Sequence, residues 1–397
     1  MLFAIILIII ISIVSEEAIT PSMIYQKLVW VIMGCIGAVC AFRSLLKKEV
    51  PDYVFLVVTL VPLAVTLLYT AVYGAFAGDE LGVTTQAFTT VMYGVVCVLM
   101  AMALMHIFSD KSVDLLCISL VLSYTGTFIR GLQKIGVQGL WKHLTRAEGF
   151  FDYAFERHDI GVAVVPLIFY YLYNLMNNKK EKNDHLVAKL IVLFLVVFLC
   201  GKRSAILALF AGGVVMGLFW LAKSKADKAA KCVMALCAVL PFAYVCIIKI
   251  GLLQTVAEAI GINSMGRVEV FEWFEDQYTL SPLYIGKGFQ YIHQYMKAGL
   301  GSALVNAYQY LHNTILQLYI ETGFFGFFFW FGHLAVGMPL LLKRFSDEKS
   351  AQFYLIVIAG TIAMFTVDNV LTYPLYQVCM HVVVASVALK RNGLSKI

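Results

Sequence analysis

The chain has 397 residues, of which 61% are hydrophobic and only 14% are charged. Soluble proteins average roughly 45–50% apolar and about 25% charged residues, so this composition excludes an ordinary soluble domain and indicates an integral membrane protein. The formal net charge of +6 does not indicate nucleic-acid binding, because the Lys and Arg residues lie mostly in short clusters between apolar segments. The nine cysteines lie in or beside apolar segments without a C-x-x-C pair, which favours small core residues over disulfides or a metal site.

Recurring apolar segments predict an all-α integral membrane protein of about twelve transmembrane helices, forming a single polytopic domain over residues 1–397. The predicted spans are 2–15, 25–46, 52–76, 85–108, 113–130, 160–176, 186–201, 204–222, 232–250, 312–342, 352–368 and 373–390. The first is short for a bilayer about 30 Å thick. It lacks a preceding basic residue and a following small-residue cleavage site, so we expect a retained span and not a signal peptide.

The distribution of basic residues predicts the orientation of these spans. Basic clusters follow every even-numbered span, at 43–48, 111, 179–182, 223–231, 343–349 and 390–396. Because cytoplasmic loops are enriched in Lys and Arg, both termini are expected in the cytoplasm. This orientation leaves two long polar stretches outside: a first outer loop at 131–159 and a main outer loop at 251–311, between spans 9 and 10. We expect the main outer loop to carry the catalytic residues.

Two arginines lie where the predicted chain meets the outer membrane surface. Arg203 follows Lys202 in a short interruption between two apolar runs, and Arg267 follows a glycine in the main outer loop, upstream of Lys287. A guanidinium matches phosphate oxygens with a planar fork of donors, so the pair could hold a diphosphate. The alternatives are an Arg203 that extends to lipid headgroups and an Arg267 paired with a nearby glutamate.

The start of the predicted tenth span has the most specific pattern. Asn313, Gln317 and Glu321 are spaced four apart in an otherwise apolar helix, so they form a polar stripe that should face other helices and not lipid. His312 precedes this stripe at the outer end of the helix. The helix dipole there favours the neutral imidazole that a general base needs, although a single His is more often structural.

In the first outer loop, basic residues alternate with aromatic ones. Arg130, Lys134, Lys142, Arg146 and Arg157 are interspersed with Trp141, Phe150, Phe151, Tyr153 and Phe155. Aromatic faces stack on sugars, and cations suit phosphate or acidic sugars. An aromatic belt at the headgroup level explains the same pattern equally well. Arg157, with His158 and Asp159, is kept as a candidate for substrate binding.

Taken together, these motifs resemble the O-antigen ligase and polysaccharide polymerase family over roughly residues 150 to 375. The resemblance rests on His312, Asn313, Leu316, Glu321, Gly323 and Gly326, on Arg203 in a Lys-Arg-Ser-Ala context, on Arg267 after glycine, on Pro282, Gly286 and Gly288, and on Asp368 before the last span.

The resemblance implies a metal-independent glycosyltransferase on the outer face of the plasma membrane, with no cofactor and a glycan donor linked to undecaprenyl diphosphate. Arg203 and Arg267 would receive the charge of the leaving diphosphate, and His312 would be the base. Asp368 would orient His312 or a sugar hydroxyl. The expected substrate-binding residues are Asp368, Asn313, Glu321, Lys202, Lys287 and Arg157.

The expected partners are the lipid-linked glycan, a glycan acceptor and the lipid bilayer, together with chain-length regulator and flippase proteins. A polymerase that lengthens a lipid-linked glycan is the first expectation. A ligase that moves the finished glycan to lipid A core or another acceptor needs the same donor chemistry. A flippase or transporter is the alternative from another class, but such a carrier should place its polar groups near the membrane midplane.

Overall fold

A computed structural model of the protein describes residues 24–47, 50–79, 81–145, 153–177, 184–259, 266–308 and 310–390. All the regular elements within these ranges are helical. The helices are α1 (Ile24–Leu46), α2 (Val50–Ala77), α3 (Val83–Phe108), α4 (Ser112–Thr145), α5 (His158–Asn177), α6 (Asp184–Leu199), α7 (Arg203–Ala222), α8 (Ala226–Lys249), α9 (Leu252–Ala259), α10 (Arg267–Trp273), α11 (Tyr291–Lys297), α12 (Ala303–Tyr308), α13 (Thr314–Gly332), α14 (Met338–Phe345), α15 (Glu348–Phe365) and α16 (Pro374–Lys390). The predicted span 2–15 lies outside the described residues.

Each of the other eleven predicted segments coincides with a helix or a helical run. The largest difference is in α4, which continues to Thr145 across a break at Gly136 (φ 67°, ψ −175°), so much of the first outer loop is helical. Among the described residues, six helical segments are long and apolar enough to cross a membrane: Thr59–Ala77, Val83–Phe108, Ser112–Thr145, His158–Asn177, Arg203–Lys249 and Thr314–Phe345. The described part of the protein is therefore all-helical, and its apolar helices are those of a multi-pass membrane protein.

The chain forms two compact units, the first from residues 1–55, 96–210 and 373–397. Its centre is α5, in which every residue from Ile160 to Tyr171 is buried. This helix packs against α6 and α16. Helix α5 is apolar on all sides, and a helix of this kind is surrounded by other helices.

The second unit consists of residues 56–95 and 211–372. Helix α8 packs against α13 and α15, and the Phe242 ring of α8 lies 5.1–6.4 Å from the rings of Tyr319, Phe324, Phe327 and Phe328. Helix α13 is interrupted at Gly323, which has φ 67° and ψ −173°, and a π-helical turn at His333–Gly337 joins it to α14. This unit contains the main outer loop and the start of α13.

Candidate functional site

His312 lies immediately before α13, between the buried Leu311 and Asn313. Asn313 is the N-cap of α13, and its side chain accepts a hydrogen bond from the Leu316 N–H at 3.0 Å. His312 has φ 52°, a left-handed conformation that is uncommon for residues other than glycine. Backbone strain of this kind persists only where the surrounding structure holds it, and it occurs often at functional sites.

The Asp368 carboxylate lies close to the His312 ring. The distance from His312 Nδ1 to Asp368 Oδ1 is 3.9 Å, and Asp368 is almost fully buried whereas His312 is 30% exposed. Asp368 Oδ1 also accepts a hydrogen bond from the Asn369 N–H at 2.9 Å. The Asp368 carbonyl accepts one from the Thr314 hydroxyl at 2.8 Å. The residue is therefore fixed to the first turn of the helix that follows His312.

Arg267 contacts the residue beside Asp368. It is the first residue of α10, follows Gly266 (φ 79°), and is half-buried. Its Nη1 donates to the Val367 carbonyl at 3.2 Å, which uses one of the five N–H donors of a guanidinium. The second unit therefore brings Arg267 and His312 to the same two-residue segment, Val367–Asp368, although they are far apart in sequence.

Two tyrosines that the sequence analysis did not identify connect these groups. The Tyr244 hydroxyl donates to the Thr366 carbonyl at 2.9 Å and accepts from Asn313 Nδ2 at 3.2 Å. The Tyr308 ring lies edge-on to the His312 ring, with centroids 6.0 Å apart. A Cβ atom on Gly266 would lie 2.8 Å from the Tyr308 hydroxyl. Tyr244 lies in an apolar segment, where nothing in the sequence distinguishes it from other core aromatics.

The polar stripe of α13 is buried, which confirms that it faces protein. Asn313 and Glu321 have no exposed surface, and Gln317 is 8% exposed. Glu321 Oε1 accepts from Gln317 Nε2 at 3.1 Å and from the Ile292 N–H at 3.2 Å. Lys287 is half-buried in the loop that packs on this helix. These contacts stabilise the unit, and substrate binding by Asn313, Glu321 and Lys287 stays a prediction.

The first unit contains the remaining predicted residues. Arg203 is exposed at the first position of α7, and Lys202 Nζ lies 5.5 Å from the centroid of the Tyr373 ring. Arg157 is 6% exposed and donates from Nε and Nη2 to the two carboxylate oxygens of Asp159, at 3.1 and 2.9 Å. Because Arg203 belongs to a different unit from His312, their convergence on one cavity stays a prediction.

These observations define a class of protein. It is a helical multi-pass membrane protein that holds a histidine, a buried aspartate and an arginine at one end of a span. Residues 188–331 match the family model described as O-antigen ligase. This match bears out the resemblance to the O-antigen ligase and polymerase family that the sequence motifs predicted. Members of that family are membrane glycosyltransferase-like enzymes. The matched range contains Arg203, Arg267 and His312 and ends before Asp368. No curated protein matches the chain.

Proposed function

We propose that the protein is a polysaccharide polymerase that transfers an undecaprenyl-diphosphate-linked glycan to the end of another lipid-linked repeat unit. The observation that carries the proposal is the position of His312 beside the buried Asp368 carboxylate, with Arg267 bonded to the adjacent residue. Such a site supplies a base, a group that orients it and a cation for a leaving group. Our proposal requires neither a metal ion nor a cofactor.

In the proposed reaction, His312 removes the proton from the acceptor hydroxyl. The hydroxyl oxygen attacks the anomeric carbon of the donor sugar, and the bond from that carbon to the diphosphate oxygen breaks. The electron pair leaves with the diphosphate, and the guanidinium of Arg267 stabilises its developing charge. A hydrogen bond from His312 Nδ1 to Asp368 would leave Nε2 as the base. The present 3.9 Å separation must shorten by roughly 1 Å for that bond.

Arg203 is proposed as the second cation for the diphosphate. It begins α7, where the partial positive charge of a helix N-terminus also favours an anion. The proposed setting is the bacterial inner membrane, with about twelve spans, both termini in the cytoplasm and the active site outside. The proposed partners are the lipid-linked glycan, its acceptor, the bilayer, and chain-length regulator and flippase proteins.

Ligation is the second candidate, favoured by the O-antigen ligase description of the matching family model. Deletion in a host that attaches its glycan to lipid A core separates the possibilities. Loss of a polymerase should leave core carrying a single repeat unit and no ladder. Bare core with long glycan accumulated on the lipid carrier would refute polymerisation and favour ligation. Repeat units trapped on the cytoplasmic face would indicate a flippase.

The same assay tests the role of His312. We expect His312→Ala to reproduce the deletion pattern at normal membrane levels, because loss of the base removes transfer and not donor binding. His293→Ala is the matched control, since His293 lies in the main outer loop that precedes His312 but stacks on Tyr310, with ring centroids 4.7 Å apart. A normal ladder in His312→Ala would refute the proposed base.

A further inference from the structure

The break in α13 is filled by the backbone of a distant loop segment, Ser281–Phe289. The Phe324 N–H donates to the Tyr284 carbonyl at 2.9 Å. In the opposite direction, the Lys287 and Gly288 N–H groups donate to the carbonyls of Ile320 and Glu321, at 3.0 and 2.9 Å. These hydrogen bonds replace helix bonds that the break at Gly323 removes. The loop is therefore joined to the middle of α13 by peptide groups.

Two glycines make this close approach possible. Gly286 and Gly323 have φ values of 80° and 67°. A Cβ on Gly286 would lie 2.5 Å from the Gly323 nitrogen, and a Cβ on Gly323 would lie 2.4 Å from the Tyr284 oxygen. The Tyr284 hydroxyl adds a hydrogen bond to the Ile320 carbonyl at 2.7 Å.

Hydrogen bonds to two different candidate spans fix the position of this loop along each span. Gly323 is nine residues beyond Thr314, the first residue of α13, a distance of about 13 Å at 1.5 Å per residue. The Phe289 N–H donates to the Thr70 hydroxyl at 3.0 Å, and Thr70 is seven residues before Ala77, the last residue of α2. That distance is about 10 Å. Both distances are shorter than half of a hydrocarbon core, about 15 Å, so the joint lies in the Thr314 half of one candidate span and in the Ala77 half of the other.

The side chains at the tip of the loop are apolar and exposed. Leu283 is 88% exposed and Ile285 is 66% exposed, and Phe325, two residues beyond the helix break, is 72% exposed. In water these side chains would leave a large apolar surface uncovered. In hydrocarbon they would be solvated. The Lys287 and Gly288 N–H groups and the Tyr284 carbonyl behind them already have hydrogen-bond partners in α13, which hydrocarbon could not supply.

We propose that Ser281–Phe289 is a re-entrant loop that enters the hydrocarbon of the outer leaflet, where Leu283 and Ile285 contact lipid acyl chains. The proposal requires that the chain spans a membrane with residues 281–289 on the outer side, and it requires no chemistry at the candidate site. It is therefore independent of glycan transfer, and a failure of one does not imply a failure of the other.

Nitroxide labels in a cysteine-free variant reconstituted in liposomes test this proposal. Leu283→Cys is the test position, Leu68→Cys (66% exposed) in the span Thr59–Ala77 is the lipid control, and Lys297→Cys, an exposed charged position, is the water control. Labels are attached in detergent before reconstitution. Collisions with oxygen, which concentrates in hydrocarbon, and with a water-soluble nickel chelate are then measured.

We expect the label at 283 to behave like the label at 68, with frequent oxygen collisions and few nickel collisions. The unlabelled Leu283→Cys thiol in liposomes should react on the order of 100-fold more slowly than Lys297→Cys with a charged thiol reagent, because the reactive thiolate does not form in hydrocarbon. Frequent nickel collisions at 283 would place the tip in water and overturn the proposal. Few collisions with either quencher would place it inside protein and also overturn it. Ile285→Cys repeats the test if Leu283→Cys is not recovered in membranes.

Discussion

Replacing Gly323 by alanine should release the loop from α13. The new Cβ would lie 2.4 Å from both the Tyr284 oxygen and the Ile285 carbonyl carbon. Such overlap costs about 1–3 kcal/mol. The combination of positive φ and extended ψ at Gly323 (φ 67°, ψ −173°) is essentially restricted to glycine and costs another residue about 1–3 kcal/mol more. Together they oppose loop docking by about 2–6 kcal/mol, which raises the population of the undocked loop roughly 30-fold to 20,000-fold.

Trypsin cleavage after Lys287, followed by mass spectrometry on the detergent-solubilised protein, measures this population, because slow cleavage tracks the open fraction. Gly332→Ala is the matched control: Gly332 is helical in the same element, and no atom outside its own helix backbone lies within 4 Å of its Cβ position. There alanine should stabilise the helix by up to about 1 kcal/mol. Equal cleavage rates at Lys287 in the two variants would refute the reasoning.

Three further predictions concern the site and its orientation. Arg267→Lys and Arg203→Lys should each weaken donor binding and lower transfer, because Lys keeps the positive charge but loses the planar fork of N–H donors. Full transfer by both Arg203→Lys and Arg203→Ala at normal membrane levels would instead indicate that Arg203 only contacts lipid headgroups. Asp368→Asn should lower kcat by a factor of roughly 10² to 10⁴ with little change in donor binding, because the carboxylate acts through His312. An equal loss of donor affinity in equilibrium binding measurements would instead show that Asp368 binds the substrate. In intact cells, a membrane-impermeant maleimide should label Leu300→Cys and not a cysteine at position 183, and the reverse pattern would invert the topology.

Helix positions could be predicted from the sequence because a membrane span needs a long apolar run, and such runs are visible locally. The break at Gly323 could not be predicted, since the apolar run continues on both sides of it. Pro282 and Gly286 were recognised as part of the family resemblance, and the docking site of their loop lies more than thirty residues further along the chain. Peptide-group hydrogen bonds of this kind leave no side-chain pattern that could be recognised.

The candidate site shows the same limit. His312 and Arg267 were identified by residue type and by family resemblance, and both contact the segment Val367–Asp368. Arg267 does so by donating to a backbone carbonyl one hundred residues away. Any residue at position 367 would offer this carbonyl, so the sequence does not reveal the contact. Tyr308 was not identified from the sequence, because only its edge-on position beside the His312 ring distinguishes it from other tyrosines.

The joint between the loop and α13 has a consequence for sequence variation. Three of its hydrogen bonds join main-chain atoms only, so its geometry is largely insensitive to which side chains the loop carries. The strict requirement falls on Gly286 and Gly323, where any Cβ would overlap the opposing backbone. A library that randomises positions 283 and 285 should therefore retain many folded members, enriched in apolar residues. A library at the two glycines should return almost only glycine.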